Sequence, residues 1–396
     1  MRILHLGKFF PPYYGGMEIF LYDLVQAQAR MGFEPLVLVH QDKSCKGSSW
    51  ENCGLVKVCR ARVIGNFLYA PLSPEYPIIL RRILSQFEPD IVHIHMPNFS
   101  PFSLLFLKIE CPMVIHWQSD VVVSHIDERL ALAYCFYKPF ERLLLQKASA
   151  IVVTSHLYLS GSLPLRDFIG KCHVIPLGID PSRVYQPSRR EINSLRRKWG
   201  GRLRVFSAGR FAYYKGFDTL VDAARVLDGV NFVIAGDGPL RKRIVRKVES
   251  LSLGGRVWLP GALGDREFHT YMASCDVFCL SSVEKTESFG LVLLEAMNHK
   301  KALITTRIEG SGVTWVNQDG QTGVTVPPGD PEAIARAIKK MIEFPMERER
   351  MGLIAYRRFK ERFQIDGVAR AIADLYRRIS SEASYTLGWH GSAYKW

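Results

Sequence analysis

The sequence predicts an α/β protein built from two doubly wound lobes, each with a parallel sheet. Its 396 residues are enough for two domains of ordinary size. Short apolar runs alternate with helical stretches at the spacing of βαβ units, which place their strands in parallel. The same alternation begins again at Arg204, after a polar stretch over residues 176–202. Because 47% of the residues are hydrophobic, each lobe can bury a full core.

The elements of both lobes follow from the positions of the apolar runs. In the first lobe, strands are expected at residues 2–7, 35–40, 91–95, 113–116, 151–154 and 174–176, and helices at residues 17–31 and 127–147. In the second lobe, strands are expected at residues 205–208, 232–235, 257–259, 277–280, 302–305 and 322–326. Its helices are expected at residues 218–227, 240–250, 266–274, 288–298, 331–343 and 347–363, followed by a final helix at 366–379.

This pattern gives a first domain over residues 1–180 and a second over residues 181–365. A helix over residues 366–380 is expected to pack back on the first domain, and residues 381–396 form a tail without periodicity. Ligands of open parallel sheets bind outside the carboxyl ends of the strands. We therefore expect the two lobes to face each other across a cleft lined by the loops that follow their strands.

The net charge of +14 is concentrated in the second half of the chain. Residues 178–396 hold 35 Lys and Arg against 24 Asp and Glu, whereas residues 1–177 hold 17 against 14. A basic surface attracts nucleotides, nucleic acid or anionic lipid, although a single basic run is more often a solvated helix face. Nucleic acid is not an expected partner, because the sequence has no nucleic-acid-binding motif and no interleaved stacking aromatics.

The eight cysteines form no CxxC pair, and the histidines show no zinc-ligand spacing, so neither a disulfide framework nor a metal site is expected. Cys111, Cys275 and Cys279 lie in apolar runs and are expected to be buried. The amino terminus lacks the apolar segment of a signal peptide, and no run has the length of a membrane span. These features predict a cytoplasmic protein, at most peripheral at the inner face of the membrane.

Two glycine-containing turns are candidates for anion binding. Gly15 and Gly16 precede a helix, where backbone N–H groups can approach an anion, although a plain turn explains them as well. Arg210 and Lys215 lie in AGRFAYYKGFD, directly after the first strand of the second lobe. Two cations on such a loop suit a diphosphate, whose charge must be neutralised as it leaves. Solvated loop cations are the alternative.

The segment ESFGLVLLE combines two carboxylates with a helix start. The helix is expected to begin near Ser288, a residue type common at N-caps, so that its first N–H groups can hold phosphate. Glu295 lies about two turns into an apolar stretch, where a buried carboxylate needs a partner such as the vicinal hydroxyls of a ribose. Glu287 would then face the sugar. The alternative is a salt-bridged core glutamate together with a capping one.

Taken together, ESFGLVLLEAM, the GR…KG loop, AGDGPL and the amino-terminal GGxE resemble the retaining glycosyltransferases of family four, which have the GT-B fold. The resemblance spans about residues 1–380, with the motifs in the expected order. It implies an amino-terminal acceptor lobe and a carboxyl-terminal donor lobe for a nucleotide sugar. It also implies retention of anomeric configuration by front-face attack, with no protein nucleophile, metal or cofactor.

By this resemblance, Glu295 binds the donor ribose, Glu287 lies near the donor sugar, and Arg210 and Lys215 hold the diphosphate. The implied donor-binding set further contains Gly15, Gly16, Gly238, Ser288, Phe289, Gly290 and Leu291.

The first lobe contributes a candidate sugar contact at the end of the strand MVIH. Family members carry a histidine like His116 that contacts the donor sugar, and a neutral imidazole can orient a hydroxyl. A strand-end histidine satisfied by backbone is the alternative. Asp120 is a candidate for acceptor or donor hydroxyls. His95 shares a strand face with His93 and is a further candidate, with a structural role equally open.

Two departures from the common family pattern bear on the substrate. Relatives often read HSD where this chain has Gln118-Ser119-Asp120, and residues 309–317 read EGSGVTWVN in place of GGxxE. The second segment resembles the mannosyl- and rhamnosyltransferases, which favours GDP-mannose as donor, although spacing identifies neither base nor sugar. The expected acceptor is a glycan or lipid-linked oligosaccharide of cell-surface polysaccharide biosynthesis.

Alternatives remain open for the membrane contact and for the class of function. Basic helices with Trp50, Phe67, Phe99 and Phe102 suit contact with an anionic membrane, but solvated helices and core aromatics explain them equally. A sugar-nucleotide epimerase of the same fold and a non-catalytic module that binds nucleotide or polymer are the competing functions.

Overall fold

The computed structural model describes residues 1–13, 15–42, 44–68, 70–122, 128–201 and 203–391. It divides the chain into one unit of Met1–Gly178 with Ile365–Trp396 and a second unit of Ile179–Gln364. Asp127, the expected start of the long first-lobe helix, and tail residues 392–396 lie outside the described residues.

The first unit is built on a predominantly parallel sheet. Its strands are β1 (Arg2–Leu6), β2 (Glu34–His40), β3 (Ser49–Cys53), β4 (Val56–Ala61), β5 (Gly65–Phe67), β6 (Ala70–Leu72), β7 (Ile91–Met96), β8 (Met113–Trp117), β9 (Ala150–Val153) and β10 (Cys172–Val174). Eight of these described strands pair in the order β10-β9-β8-β7-β1-β2-β4-β3, and β5 and β6 form a separate antiparallel pair. The edge strand β3 is antiparallel to β4, which differs from the expected parallel sheet.

Burial on both faces explains why the central strands of this sheet read as continuous apolar runs. On β2, Leu36 and Leu38 join one core cluster, whereas the alternating Val37 and Val39 join another on the opposite face. The edge strand β3, SWENC, is mostly exposed and polar, so its sequence carries no apolar run. This exposure is why the sequence did not predict β3.

The helices of the first unit cover both faces of the sheet. They are α1 (Gly16–Arg30), α2 (Tyr76–Phe87), α3 (Glu128–Lys147) and α4 (His156–Gly161). The sequence did not predict α2, although it has apolar spacing and a proline in its first turn, where the missing N–H costs nothing. Pro139 lies inside α3, which nevertheless continues to Lys147.

The second unit is a doubly wound sheet whose described pairs are all parallel. Its strands are β11 (Leu203–Ala208), β12 (Val230–Ala235), β13 (Val257–Trp258), β14 (Val277–Leu280), β15 (Ala302–Thr306) and β16 (Gly323–Val326), and the described order is β13-β12-β11-β14-β15-β16. Its helices are α5 (Arg189–Trp199), α6 (Phe217–Arg225), α7 (Arg241–Ser250), α8 (Asp265–Ser274), α9 (Leu291–Asn298), α10 (Val313–Val316), α11 (Pro331–Glu343) and α12 (Pro345–Arg362).

The order of these strands places a topological switch point between β11 and β14. The chain runs from β11 outward through β12 and β13, and then returns to the other side of β11 to form β14. At such a point the connections leave to opposite faces of the sheet and open a crevice at the carboxyl ends of the two strands. The loops that follow β11 and β14 are therefore where a ligand of this unit is expected.

The carboxyl-terminal helix, α13 (Ile365–Gly391), belongs to the first unit. Its Asp366 carboxylate lies 3.2 Å from the Arg30 guanidinium of α1, and its Tyr376 side chain is fully buried. The helix is longer than the predicted 366–380, because α13 continues to Gly391.

Two expectations about the interior and the membrane can be compared with the structure. Cys275 and Cys279 are buried, but Cys111 is partly exposed, which corrects its placement in the core. Among the helices in the described part of the chain, none combines the length and apolar character that crossing a bilayer requires.

Candidate functional site

A buried ion pair lies at the switch point of the second unit. Lys215 follows β11 and Glu287 follows β14, and the Lys215 Nζ lies 2.5 Å from the Glu287 Oε2. The Ser282 hydroxyl donates to the same carboxylate oxygen at 2.9 Å. Burial by itself lowers the pKa of the Lys215 ammonium, but Glu287 and Tyr214 raise it by more, so its pKa lies above the ordinary value. The pair therefore presents a fixed, fully charged ammonium.

Close backbone approach explains the glycines that follow β11 and β12. Gly236 has φ +130°, and a Cβ there would lie 1.9 Å from the carbonyl oxygen of Gly209. Gly238 has φ +155°, and its Cβ would lie 2.8 Å from the backbone of Phe211. Only glycine allows these two loops to pack this closely. The GR…KG and AGDGPL segments thus form one backbone assembly at the edge of the sheet.

The segment that follows Glu287 is arranged differently from the prediction. Helix α9 begins at Leu291, and Gly290 precedes it with φ +77°, so Ser288 is not the N-cap. The carbonyl oxygen of Ser288 accepts a hydrogen bond from the backbone N–H of Gly312 at 2.7 Å. Phe289 is buried, with its ring 6.2 Å from that of Trp315. Since Gly290 alone tolerates the left-handed conformation, it sets where the helix starts.

Glu295 lies on α9, next to charged side chains that the sequence did not predict. Its carboxylate lies 3.8 Å from the guanidinium of Arg183, which in turn lies 3.9 Å from Asp265. The Glu295 side chain keeps 14% of its surface exposed. Arg183 lies in the linker before α5, outside every recognised motif. The sequence therefore did not predict its contact with Glu295. The salt-bridged alternative for Glu295 is therefore present, with part of the carboxylate still accessible.

The two cations of the GR…KG loop have different surroundings. The Arg210 side chain is exposed, whereas Lys215 keeps only 8% of its surface accessible. Gly216, with φ +63°, ends the turn that carries Lys215, and the Ser281 hydroxyl donates to the Lys215 carbonyl at 3.0 Å. Lys215 is thus held in place, while Arg210 lies at the surface.

In the first unit, the turn before α1 holds a carboxylate of the protein itself. Gly15 is the N-cap residue, and a Cβ on it would lie 2.3 Å from the Glu18 Oε2. Gly16 begins the helix. Burial raises the pKa of Glu18, while its own backbone N–H and Lys8 oppose this shift. The Glu18 carboxylate therefore occupies the helix start at which Gly15 and Gly16 were expected to receive an anion.

The expected sugar contacts of the first unit lie in its interior. His116 is fully buried, with its ring 5.6 Å from that of His95, which is 4% exposed. Both imidazoles are buried, and their contact with a donor or acceptor sugar stays a prediction. Asp120 is partly exposed, and its Oδ1 accepts from the Trp117 indole at 2.8 Å and the Ser162 hydroxyl at 2.6 Å.

Sequence comparison places each unit in a glycosyltransferase family. Residues 14–183 match the family described as Glycosyltransferase Family 4, and residues 189–358 match Glycosyl transferases group 1. The chain is 29% identical to the O-antigen chain mannosyltransferase C of Escherichia coli, over 97% of this chain and all of that one. It is 28% identical to the D-rhamnosyltransferase WbpZ of Pseudomonas aeruginosa, over 92% of each chain.

Solved structures share the fold of the whole chain. The sucrose-phosphate synthase of Thermosynechococcus elongatus has a TM-score of 0.81 at 21% identity, covering 96% of this chain and 99% of that one. Anabaena HepE, solved in complex with UDP, has a TM-score of 0.75 at 20% identity, covering 96% and 100%.

The fold and the family matches define the class of protein: a glycosyltransferase with the two Rossmann-like lobes of the GT-B fold. Within that class, the chain belongs to the family-four type, as its motifs predict, and it is similar to mannosyl- and rhamnosyltransferases.

Proposed function

We propose that this enzyme transfers a hexose, with mannose favoured, from a nucleoside-diphosphate donor bound at the switch point of the second unit. The observation that carries the proposal is the Lys215–Glu287 pair at the carboxyl ends of β11 and β14. The Lys215 ammonium is fixed next to the crevice, where it can stabilise the negative charge of the diphosphate that leaves during transfer. Glu295, on the helix that follows, is the proposed partner of the ribose hydroxyls.

The proposed reaction proceeds with retention and without a protein nucleophile. Lys215, with Arg210 at the surface, neutralises the departing diphosphate, and Glu287 holds Lys215 in position while facing the donor sugar. The protein then acts mainly by stabilising charge and by orienting the acceptor hydroxyl. The resemblance of residues 309–317 to mannosyl- and rhamnosyltransferases favours GDP as the carrier, and mannose is further supported because the chain is similar over nearly its whole length to a mannosyltransferase.

The donor site predicts a selective effect of nucleoside diphosphates on thermal unfolding. We expect one member of a panel, GDP first, to raise the Tm of the wild type by roughly 5–10 °C at about 100 times its Kd. Glu295→Ala should lose most of this shift, because it removes the proposed ribose contact. Glu267→Ala, which alters an exposed carboxylate of α8, is the matched control. The absence of a shift with every nucleotide would contradict the placement of the donor site.

The proposed acceptor is a glycan carried by a lipid in cell-surface polysaccharide biosynthesis. Its support is an exposed apolar row on α3, where Leu132, Phe136, Phe140 and Leu143 keep 66%, 72%, 37% and 48% of their surfaces accessible. Their spacing places them on one helix face. Lys138 and Arg142 are exposed on the same helix, which suits an anionic bilayer. Of the aromatics expected to contact lipid, Trp50, Phe67 and Phe99 are exposed, whereas Phe102 is buried.

The apolar row predicts binding to anionic vesicles. We expect the wild type to co-sediment with phosphatidylglycerol vesicles. Leu132→Asp/Phe136→Asp should bind at least about tenfold more weakly, since it removes two apolar side chains that would enter the bilayer. Leu353→Asp, at a leucine on α12 that is 58% exposed, should bind like the wild type. Equal binding by all three proteins would rule out this face as the lipid contact.

A further inference from the structure

Four histidines meet on one face of the sheet in the first unit. His5 of β1 is paired in register with His93 of β7, and His95 of β7 is paired with His116 of β8. The ring centroid of His93 lies 5.0 Å from that of His5, 4.6 Å from that of His95 and 5.4 Å from that of His116. His5, His93 and His116 are fully buried and His95 nearly so. Spacing along the chain could not predict this group, because three separate strands contribute to it.

Ring nitrogens of three of these histidines lie close to one another. One nitrogen each from His5, His93 and His95 lies within 4.8 Å of the other two, and the His5 Nδ1 is 3.2 Å from the His95 Nε2. Two nitrogens bound to one zinc ion at about 2.0–2.1 Å in tetrahedral geometry lie roughly 3.3 Å apart. In the described part of the chain, the His93 Nε2 is buried without a hydrogen-bond partner.

The remaining nitrogen of each of these imidazoles is held by a neighbouring side chain. The His5 Nε2 contacts the Gln28 amide oxygen at 2.8 Å, and the His93 Nδ1 contacts the Tyr376 hydroxyl of α13. The His95 Nδ1 lies 3.2 Å from the Gln118 amide. Metal-binding histidines characteristically donate their other N–H to such an oxygen, which fixes the ring and its tautomer. Rotation of the Gln118 amide presents its oxygen to His95.

We propose that His5, His93 and His95 bind one transition-metal ion, Zn²⁺ first, in a buried site of the first unit. Each of the three rings would bind the ion as a neutral imidazole, the form that transition metals such as zinc bind. A water on the fourth position of a three-histidine zinc site has a pKa of about 7 and can supply a compensating hydroxide. The ion would tie β1 to β7 and, through Tyr376, would hold α13 on the sheet.

Metal addition to tag-free, chelator-treated full-length protein tests the site. We expect one equivalent of Co²⁺ to bind with the visible absorption of a four- or five-coordinate ion, and Zn²⁺ to displace it. At about 100 times its Kd, Zn²⁺ should raise the Tm by roughly 5–10 °C. His93→Gln should lose both effects. His299→Gln is the control, because it alters a buried histidine that faces His269 in the second unit.

Two results would overturn the proposal. One is a wild type whose Tm responds to neither Zn²⁺ nor chelator and that shows no bound Co²⁺. In that case the side chains form only a metal-free hydrogen-bond chain from Gln118 through His95, His5, Gln28 and Tyr376 to His93. The other is Co²⁺ binding unchanged in His93→Gln. If this variant does not fold, pulsed EPR of the Cu²⁺-loaded wild type decides, since fewer than three coordinated imidazoles contradict the site.

Discussion

Lys215→Met is expected to lower kcat for sugar transfer by about 10²–10³-fold, because it removes the ammonium that would stabilise the leaving diphosphate. The measurement is the steady-state rate with the nucleotide sugar whose nucleoside diphosphate raises the Tm. Lys242→Met, at an exposed lysine of α7, is the matched control and should keep wild-type activity. A loss of less than about threefold in Lys215→Met would contradict the proposed role.

A second variant separates chemistry from folding. Lys215→Met leaves the buried Glu287 carboxylate without its cation, and breaking such a pair costs about 3–5 kcal/mol of stability. Lys215→Met/Glu287→Gln removes both charges and should recover much of that stability. If activity stays low while the Tm recovers, the loss of activity comes from the missing charges of the pair and not from unfolding. If activity returns together with the Tm, the ammonium serves only the fold.

Gly216→Ala is expected to lower the free energy of unfolding by about 2–4 kcal/mol and to reduce activity with it. Gly216 has φ +63°, and a Cβ there would lie 2.1 Å from the carbonyl oxygen of Ser281. Both atoms in this contact belong to backbone or are fixed to it, so the Lys215 turn must move away from the β14 loop. That movement separates Lys215 from Glu287.

Gly254→Ala provides the control for this glycine, because a Cβ at Gly254 meets nothing within 4 Å and its φ is not positive. We expect its stability to change by less than about 0.5 kcal/mol. Urea unfolding of both variants measures the difference. A Gly216→Ala protein as stable as Gly254→Ala would show that this turn adjusts without cost.

Much of the switch-point site of the second unit could be predicted because its signals are local. The GR…KG loop with its two cations follows β11 and Glu287 lies in the loop after β14, and parallel strands bring their carboxyl ends to one edge. The sequence therefore predicted Lys215 and Glu287 as site residues, but it did not predict their contact. Ser288 was expected to start α9 by residue type, whereas the left-handed Gly290 places the start at Leu291.

The sequence alone determined the alternation of strands and helices, the restart at Arg204 and the family resemblance, because apolar periodicity and glycine turns act over a few residues. Tertiary structure decided which distant residues meet. It brought Arg183 to Glu295, enclosed His116, and placed His5 beside His93 across the β1–β7 register. The physical reason is that strand order and register depend on how whole faces are buried, and short-range sequence patterns contain no information about that.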